Sequence, residues 1–279
     1  MNEKQIHGVV LRDFKKEPLQ VLCMGGGVQS TAMLGLIKMG LLPKPDIVIH
    51  ADTGSELPAT VEHIEKVIIP VCEELGIPFK IVRSHRGSLH GDYLRLRAMP
   101  MISIRSCTIN FKILPQRRLI REIVGRGRGN PLAITWLGIT TDEERRSLDK
   151  RKDSPNFDRR MVKSDVEWCH LSYPLLDIYP QSREDCLRIN QMMGWKVVKS
   201  GCFCCPYMGL RSHLEVKKKY PELFEISLLM EKTVEERYAE EGKTLKYGLC
   251  HDHRLTNLDS LPESVFEDSS CDSEGGCFI

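Results

Sequence analysis

LQVLCMGGGVQST, residues 19–31, is the stretch that decides the fold. Leu19 to Met24 is an apolar run too short for a helix, with the length of a buried strand. Three glycines end it. Ser30 to Met39 then reads as a helix with Ala32, Met33, Leu36 and Ile37 on one face. Glycine lets a backbone reach positive φ and approach a ligand closely. A helix that follows such a turn aims its free N–H groups and its positive dipole end at an anion. The unit therefore predicts a site for an anionic group lined by Gly25, Gly26, Gly27, Gln29, Ser30 and Thr31. No lysine follows the glycines, so it is not a Walker A loop. A tight strand–helix turn without a ligand is the alternative reading.

Working outward, Asp46 to His50, Phe79 to Val82 and Leu132 to Gly138 read as further strands. Thr60 to Leu75 reads as a helix whose apolar positions include Val61, Ile64, Ile68 and Val71, with a kink or break at Pro70. Leu114 to Val124 and Arg183 to Met193 are helical, the latter behind Ser182 as N-cap. Strands alternating with helices predict an α/β fold: a Rossmann-like, doubly wound parallel sheet with helices on both faces. Residues 1–18 read as a polar, loosely held lead-in and 84–106 as irregular. The expected division is 1–18, a nucleotide-binding domain over 19–180, and a helical, cysteine-rich region over 181–279 with an acidic tail.

The 279 residues carry a net charge of only +2, which excludes a uniformly basic nucleic-acid binder. A nucleic-acid partner would have to use a local patch. Residues 145–163 offer one, with eight Lys/Arg against three acids, although a solvated lid fits the same residues. No stretch reaches the roughly 20 apolar residues that span a bilayer. The N-terminus lacks the apolar core of a secretory signal, so no membrane and a cytoplasmic location are expected.

HADTGSELPAT, residues 50–60, puts Asp52 and Thr53 at the carboxyl end of a strand, where open α/β sheets bind ligands. Asp52 can contact a ribose or adenine, hold Mg²⁺, or cap the next helix. CTINFKILPQRRLIREI (107–123) and WLGITTDEERR (136–146) follow in order. Together these segments resemble the PP-loop ATP-pyrophosphatase-like superfamily with its HUP-type fold, in the branch of the PAPS reductases. In the superfamily pattern SGGxDS, Gly25 stands for the serine, Gly26, Gly27 and Ser30 match, and Gln29 replaces the aspartate. The resemblance runs over about residues 19–255. It implies a bound nucleotide, ATP or PAPS, with Mg²⁺. It also implies Lys112 near a phosphate, Gly138 at the site, and a cysteine at position 107. Thr140 stands where sulfonucleotide reductases often carry arginine.

Eleven cysteines in a reducing compartment point to core residues, metal ligands or redox groups rather than disulfides. Cys23, Cys72, Cys169 and Cys186 lie on apolar or amphipathic segments and read as core. GCFCC supplies Cys202-x-x-Cys205, which can bind one metal ion or two corners of an iron–sulfur cluster. Cys107, opening a helix, is the best third ligand, and Cys271 or Cys277 a fourth unless that position is open. A zinc site completed by Cys250, His251 or His253 is the alternative, and free redox thiols a third.

The resemblance implies a 4Fe-4S cluster and sulfur transfer to an adenylated substrate, with Cys107, Lys112 and Cys205 in catalytic roles and a sulfur donor protein as partner. Two other readings stay open. One is a sulfonucleotide (PAPS/APS) reductase, although the tail CDSEGGC differs from the Glu-Cys-Gly-Leu-His segment of those enzymes. The other is a non-catalytic nucleotide-binding module of a phage or defence system.

Overall fold

The computed structural model describes residues 4–127, 131–146, 168–197, 199–250 and 253–261. Cys271, Cys277, His251 and nearly all of the basic stretch 145–163 lie outside them.

The elements run β1 (Gln5–Ile6), β2 (Val9–Val10), β3 (Leu19–Met24), α1 (Val28–Lys38), β4 (Ile47–Asp52), α2 (58–74), β5 (Phe79–Arg83), α3 (Leu89–Arg95), a helical turn Ser106–Thr108 with a π segment Ile109–Ile113, α4 (Leu114–Val124), β6 (Ala133–Trp136), a 3-10 turn Thr141–Arg146, β7 (Cys169–Ser172), a short turn Pro174–Asp177, α5 (Arg183–Met192), α6 (Leu210–Lys219) and α7 (Pro221–Glu240).

The described strands β3 to β7 form one sheet in the order β5-β4-β3-β6-β7. β3 runs parallel to β4, with Val21 opposite Ile47, and parallel to β6, with Leu22 opposite Trp136. β6 runs parallel to β7. Side chains alternate across a strand, and β3 shows what that does here. Leu22 and Met24 pack with α1, α2 and α5 through Leu36, Ile68 and Ile189. Leu19 and Val21 pack on the other face with Leu119, Ile120 and Ile123 of α4. A strand covered on both faces must be apolar throughout, which is why LQVLCM reads as an unbroken run. The doubly wound sheet expected from the alternation is the observed fold.

Three expectations need correction. The lead-in is held. β1 and β2 pair antiparallel, Val9 and Phe14 are buried, and Arg12 grips both oxygens of Asp46 at 2.8 and 2.7 Å. Asp46 also takes the amide of Gln20, which ties this hairpin to the start of β3. Residues 84–106 contain α3, N-capped by the Ser88 side chain on the amide of Gly91. In α2 the helix passes through a π turn over Ile64–Ile68 just before Pro70. Proline lacks the N–H and crowds the carbonyl four residues back, and the extra residue of a π turn absorbs both. It also rotates the faces, so Val61 ends 42% exposed while Ile64, Ile68 and Val71 stay buried.

The chain forms two compact units, each discontinuous: 1–51, 58–82 and 114–200 in the first, and 52–57, 83–113 and 201–279 in the second. The contiguous divisions expected at 18 and 180 do not describe them, because the segments that leave the carboxyl ends of β4 and β5 pack with the cysteine-rich region. The core of the second unit collects Leu89, Tyr93, Phe111, Phe203, Phe224 and Met230 with Cys202, Cys204 and Cys205. Glu231, buried in α7, accepts the amides of Leu249 and Leu255 at 2.7 and 2.9 Å and so anchors the segment that follows. Among the described residues no helix is long and apolar enough to cross a membrane.

Candidate functional site

In the first unit the chain leaves β3 toward β4 and β5, then returns to build β6 and β7 on the opposite side. Such a reversal opens a crevice outside the carboxyl ends of the two central strands, where open α/β sheets bind ligands. The glycine turn occupies the end of β3. Gly26 has φ +71°, and Gly27 is the N-cap of α1 with its carbonyl taken by the amide of Thr31 at 3.0 Å. No side chain caps this helix end and no acid sits in its first turn, so its dipole is not offset locally.

Packing explains the glycines as well. A Cβ on Gly26 would lie 3.1 Å from Ile64 Cδ1, and one on Gly27 would lie 2.6 Å from Ser200 Oγ. Gly138 lies just past β6. A Cβ there would come within 3.2 Å of the Ser30 amide nitrogen and 3.0 Å of Gln29 Cβ. The loops after β3 and β6 therefore meet backbone to backbone.

The surroundings differ from the expectation in detail. Ser30 donates to the Gly27 carbonyl at 3.3 Å. Thr31 is fully buried and its hydroxyl meets His63 Nε2 at 3.1 Å, so it faces the core rather than the turn. Gln29 Nε2 donates to Glu143 at 3.4 Å, and Thr140 Oγ1 reaches the same oxygen at 3.5 Å. Sequence reading passed over Glu143, Ser200 and Asn190, whose Nδ2 donates to the Val28 carbonyl at 2.9 Å. Only WLGITTDEERR gave a signal for Glu143. Thr60, whose methyl borders Gly26, keeps a buried hydroxyl with no hydrogen-bond partner among the described residues. Uncapped helix amides behind a glycine turn fit an oxygen-rich anion such as a nucleotide phosphate.

Asp52 and Thr53 belong to the second unit. Asp52 accepts the Gly54 amide and Arg83 Nε, each at 2.7 Å, so it holds its own turn and does not cap α2. Thr53 is buried against the cysteine segment. Its hydroxyl donates to Glu56 at 3.0 Å and lies 3.2 Å from Cys202 Sγ. Backbone bonds lace the two segments together, from Leu57 to Gly201 at 2.9 Å and from Phe203 to Ser55 at 3.0 Å. Ser55 Oγ meets His90 Nδ1 at 2.9 Å, and burial lowers the pKa of His90. Glu56 belongs to the HADTGSELPAT segment already singled out, whereas the pairing of Ser55 with His90 spans 35 residues and left no sequence signal.

The four cysteines share one core. Cys202, Cys204 and Cys205 are buried in it, and half-buried Cys107 packs against that core. The knuckle closes through amides of Cys205 on Cys202 O and Met208 on Cys205 O, at 3.1 and 3.0 Å. Arg105, in the left-handed region at φ 50°, starts the turn that carries Cys107 and lays its guanidinium over Tyr207. Ser106 Oγ meets Tyr93 Oη at 2.7 Å. Burial is the main cause that pushes the Tyr93 phenol up to about 12, with Cys107 and Cys204 adding to it. Lys112 is half-buried in the π segment that follows.

Among the described residues no three of His, Cys, Asp and Glu form a group that could hold a metal ion. Cys107, Cys202 and Cys205 share one hydrophobic core, while Cys277 and His251 lie outside the described residues. The Cys202 thiol lies 3.2 Å from Thr53 Oγ1 and 3.9 Å from Glu56 Oε2. Cys23, Cys72, Cys169 and Cys186 are core residues as read, and burial raises all four thiols, Cys72 and Cys186 to about 12.

No family model matches the chain. It is 21% identical over 224 residues to the uncharacterized protein MJ0066 of Methanocaldococcus jannaschii, across 80% of this chain. The chain spans 44% of that relative's length. Among solved structures it is similar to the U34-tRNA thiolase NcsA from Methanococcus maripaludis with its 4Fe-4S cluster, at 18% identity and a TM-score of 0.44 over 90% of this chain and 83% of that one. It is also similar to the phosphoadenylyl-sulfate (PAPS) reductase from Candida auris in its phosphate complex, at 11% identity and a TM-score of 0.39 over 64% and 75%. These are likenesses of fold.

Proposed function

We propose that this chain is a PP-loop enzyme that binds ATP at the glycine turn, activates a substrate oxygen by adenylation and delivers sulfur from cysteine. The observation that carries the reading is the backbone-to-backbone meeting of Gly138 with the first turn of α1, beside uncapped amides. A substrate oxygen attacks the α-phosphorus and pyrophosphate leaves. The α1 amides, with Mg²⁺ as a further candidate, stabilise charge that develops on the phosphoryl oxygens. A nucleic acid remains the substrate class suggested by the basic stretch 145–163.

The second unit supplies the sulfur. Cys107 is the half-buried thiol of the four, so it is the one that a donor protein can load as a persulfide. The terminal sulfur attacks the activated carbon and AMP leaves. A neighbouring knuckle thiolate, Cys205 in this reading, then attacks the Cys107 sulfur. The sulfur–sulfur bond breaks, the product keeps the transferred sulfur, and a Cys107–Cys205 disulfide remains for an external dithiol to reduce.

The test is incubation with α-labelled ATP and candidate acceptors. AMP and pyrophosphate are expected in equal amounts and only with an acceptor present. Reduction of PAPS to sulfite with a dithiol donor, without AMP formation from ATP, would transfer the chain to the reductases.

A further inference from the structure

Asp92 in α3 has a side chain only 2% exposed, yet two guanidiniums share it. Arg86 Nη1 meets Oδ2 at 3.3 Å, and Arg95, one helical turn on, holds Oδ1. The arginines themselves are 38% and 65% exposed. A buried carboxylate needs one cation to offset its desolvation. Here it has two, so the trio keeps an uncompensated positive charge at the surface.

What a second guanidinium adds is geometry. Each fork is pinned by an inner edge on one rigid acid, which lowers the entropy lost when an outer edge binds an oxyanion. The turn before α3 leaves room. Gly87 has φ +87° and nothing within 4 Å of the place a Cβ would take. The Arg86 amide is fixed on Ser84 Oγ at 3.3 Å. Residues 83–105 hold five arginines and one acid, Asp92. Arg83 and Arg97 are engaged by Asp52 and Glu240, and Arg105 lies over the Tyr207 ring, which singles out the pair on Asp92.

We propose that Arg86 and Arg95, held by Asp92, form a phosphoryl-anion site in the second unit. The glycine turn belongs to the first unit, so this site stands or falls apart from the sulfur-transfer reading. The anion is either the phosphate of a free nucleotide or a backbone phosphate of a nucleic-acid strand.

The test uses the full chain, with AMP followed by calorimetry and a labelled single-stranded RNA 20-mer followed by anisotropy. Arg86→Lys/Arg95→Lys keeps the charge and the buried acid but removes both forks, and its melting temperature monitors folding. A roughly 10-fold weaker binding of at least one ligand is expected, since the lost contacts are bidentate. Loss confined to the RNA identifies a strand, and loss confined to AMP identifies a nucleotide. Unchanged or tighter binding of both ligands, or no binding of either by the natural chain, overturns the proposal.

Discussion

Replacing Gly138 by valine is expected to abolish nucleotide binding while leaving the second unit folded. A Cβ at this position already lies 3.2 Å from the Ser30 amide nitrogen and 3.3 Å from the Gln29 carbonyl carbon. Both are backbone atoms of a helix buried on nearly every side, so neither can swing away. The branched side chain must push the loop after β6 off the first turn of α1. An affinity loss of about 100-fold or more, roughly 2.7 kcal/mol, follows if the two loops together form the cradle. Overpacking also costs about 1–3 kcal/mol of stability. Gly138→Ala is expected to fall between valine and glycine. Calorimetric titration of ATP beside thermal unfolding separates the effects, and unchanged affinity in the valine variant would remove Gly138 from the site.

The second large effect concerns Cys107. Cys107→Ser is expected to stop sulfur transfer, by on the order of 10³-fold or more, because a hydroxyl cannot carry a persulfide. AMP formation with an acceptor should stay within about threefold, since adenylation uses the other unit's groups. Cys205→Ser should permit one displacement per chain, which needs only Cys107, and then stall with the product held on Cys107 as a mixed disulfide that an added dithiol releases. Counting labelled sulfur in product per chain checks both. Multiple turnovers by the serine variant at 107, or none by that at 205, would exchange the two roles.

How much of this was legible follows from where the determinants sit. β3 and β4 were readable because strands buried on both faces are short apolar runs, and α1 because it follows a glycine turn. β7, Cys-His-Leu-Ser, has no apolar run, being the last strand of the described sheet. α3 hides behind Gly87 and Gly91. The lead-in looked loose because Arg12 makes its case through Asp46, 34 residues away.

At the site, the glycine turn was readable from local chemistry, and Gly138 entered only through the resemblance of its segment. The roles of Thr31, Asp52 and Thr53 were not. Thr31 spends its hydroxyl on His63, and Thr53 on Glu56 beside Cys202, a contact 149 residues apart in the chain. Spacing brought Cys107 and the knuckle under one heading. It did not tell that Cys202 would turn to Thr53 and Glu56. Long-range side-chain partners leave no periodicity to read.

The most direct measurement is amide hydrogen exchange across the β3–α1 turn with and without ATP and Mg²⁺. If the turn cradles the nucleotide phosphates, the amides of Gly27 to Ser30 should exchange at least about 10-fold more slowly in the complex. ATP bound with those amides unchanged would contradict the account.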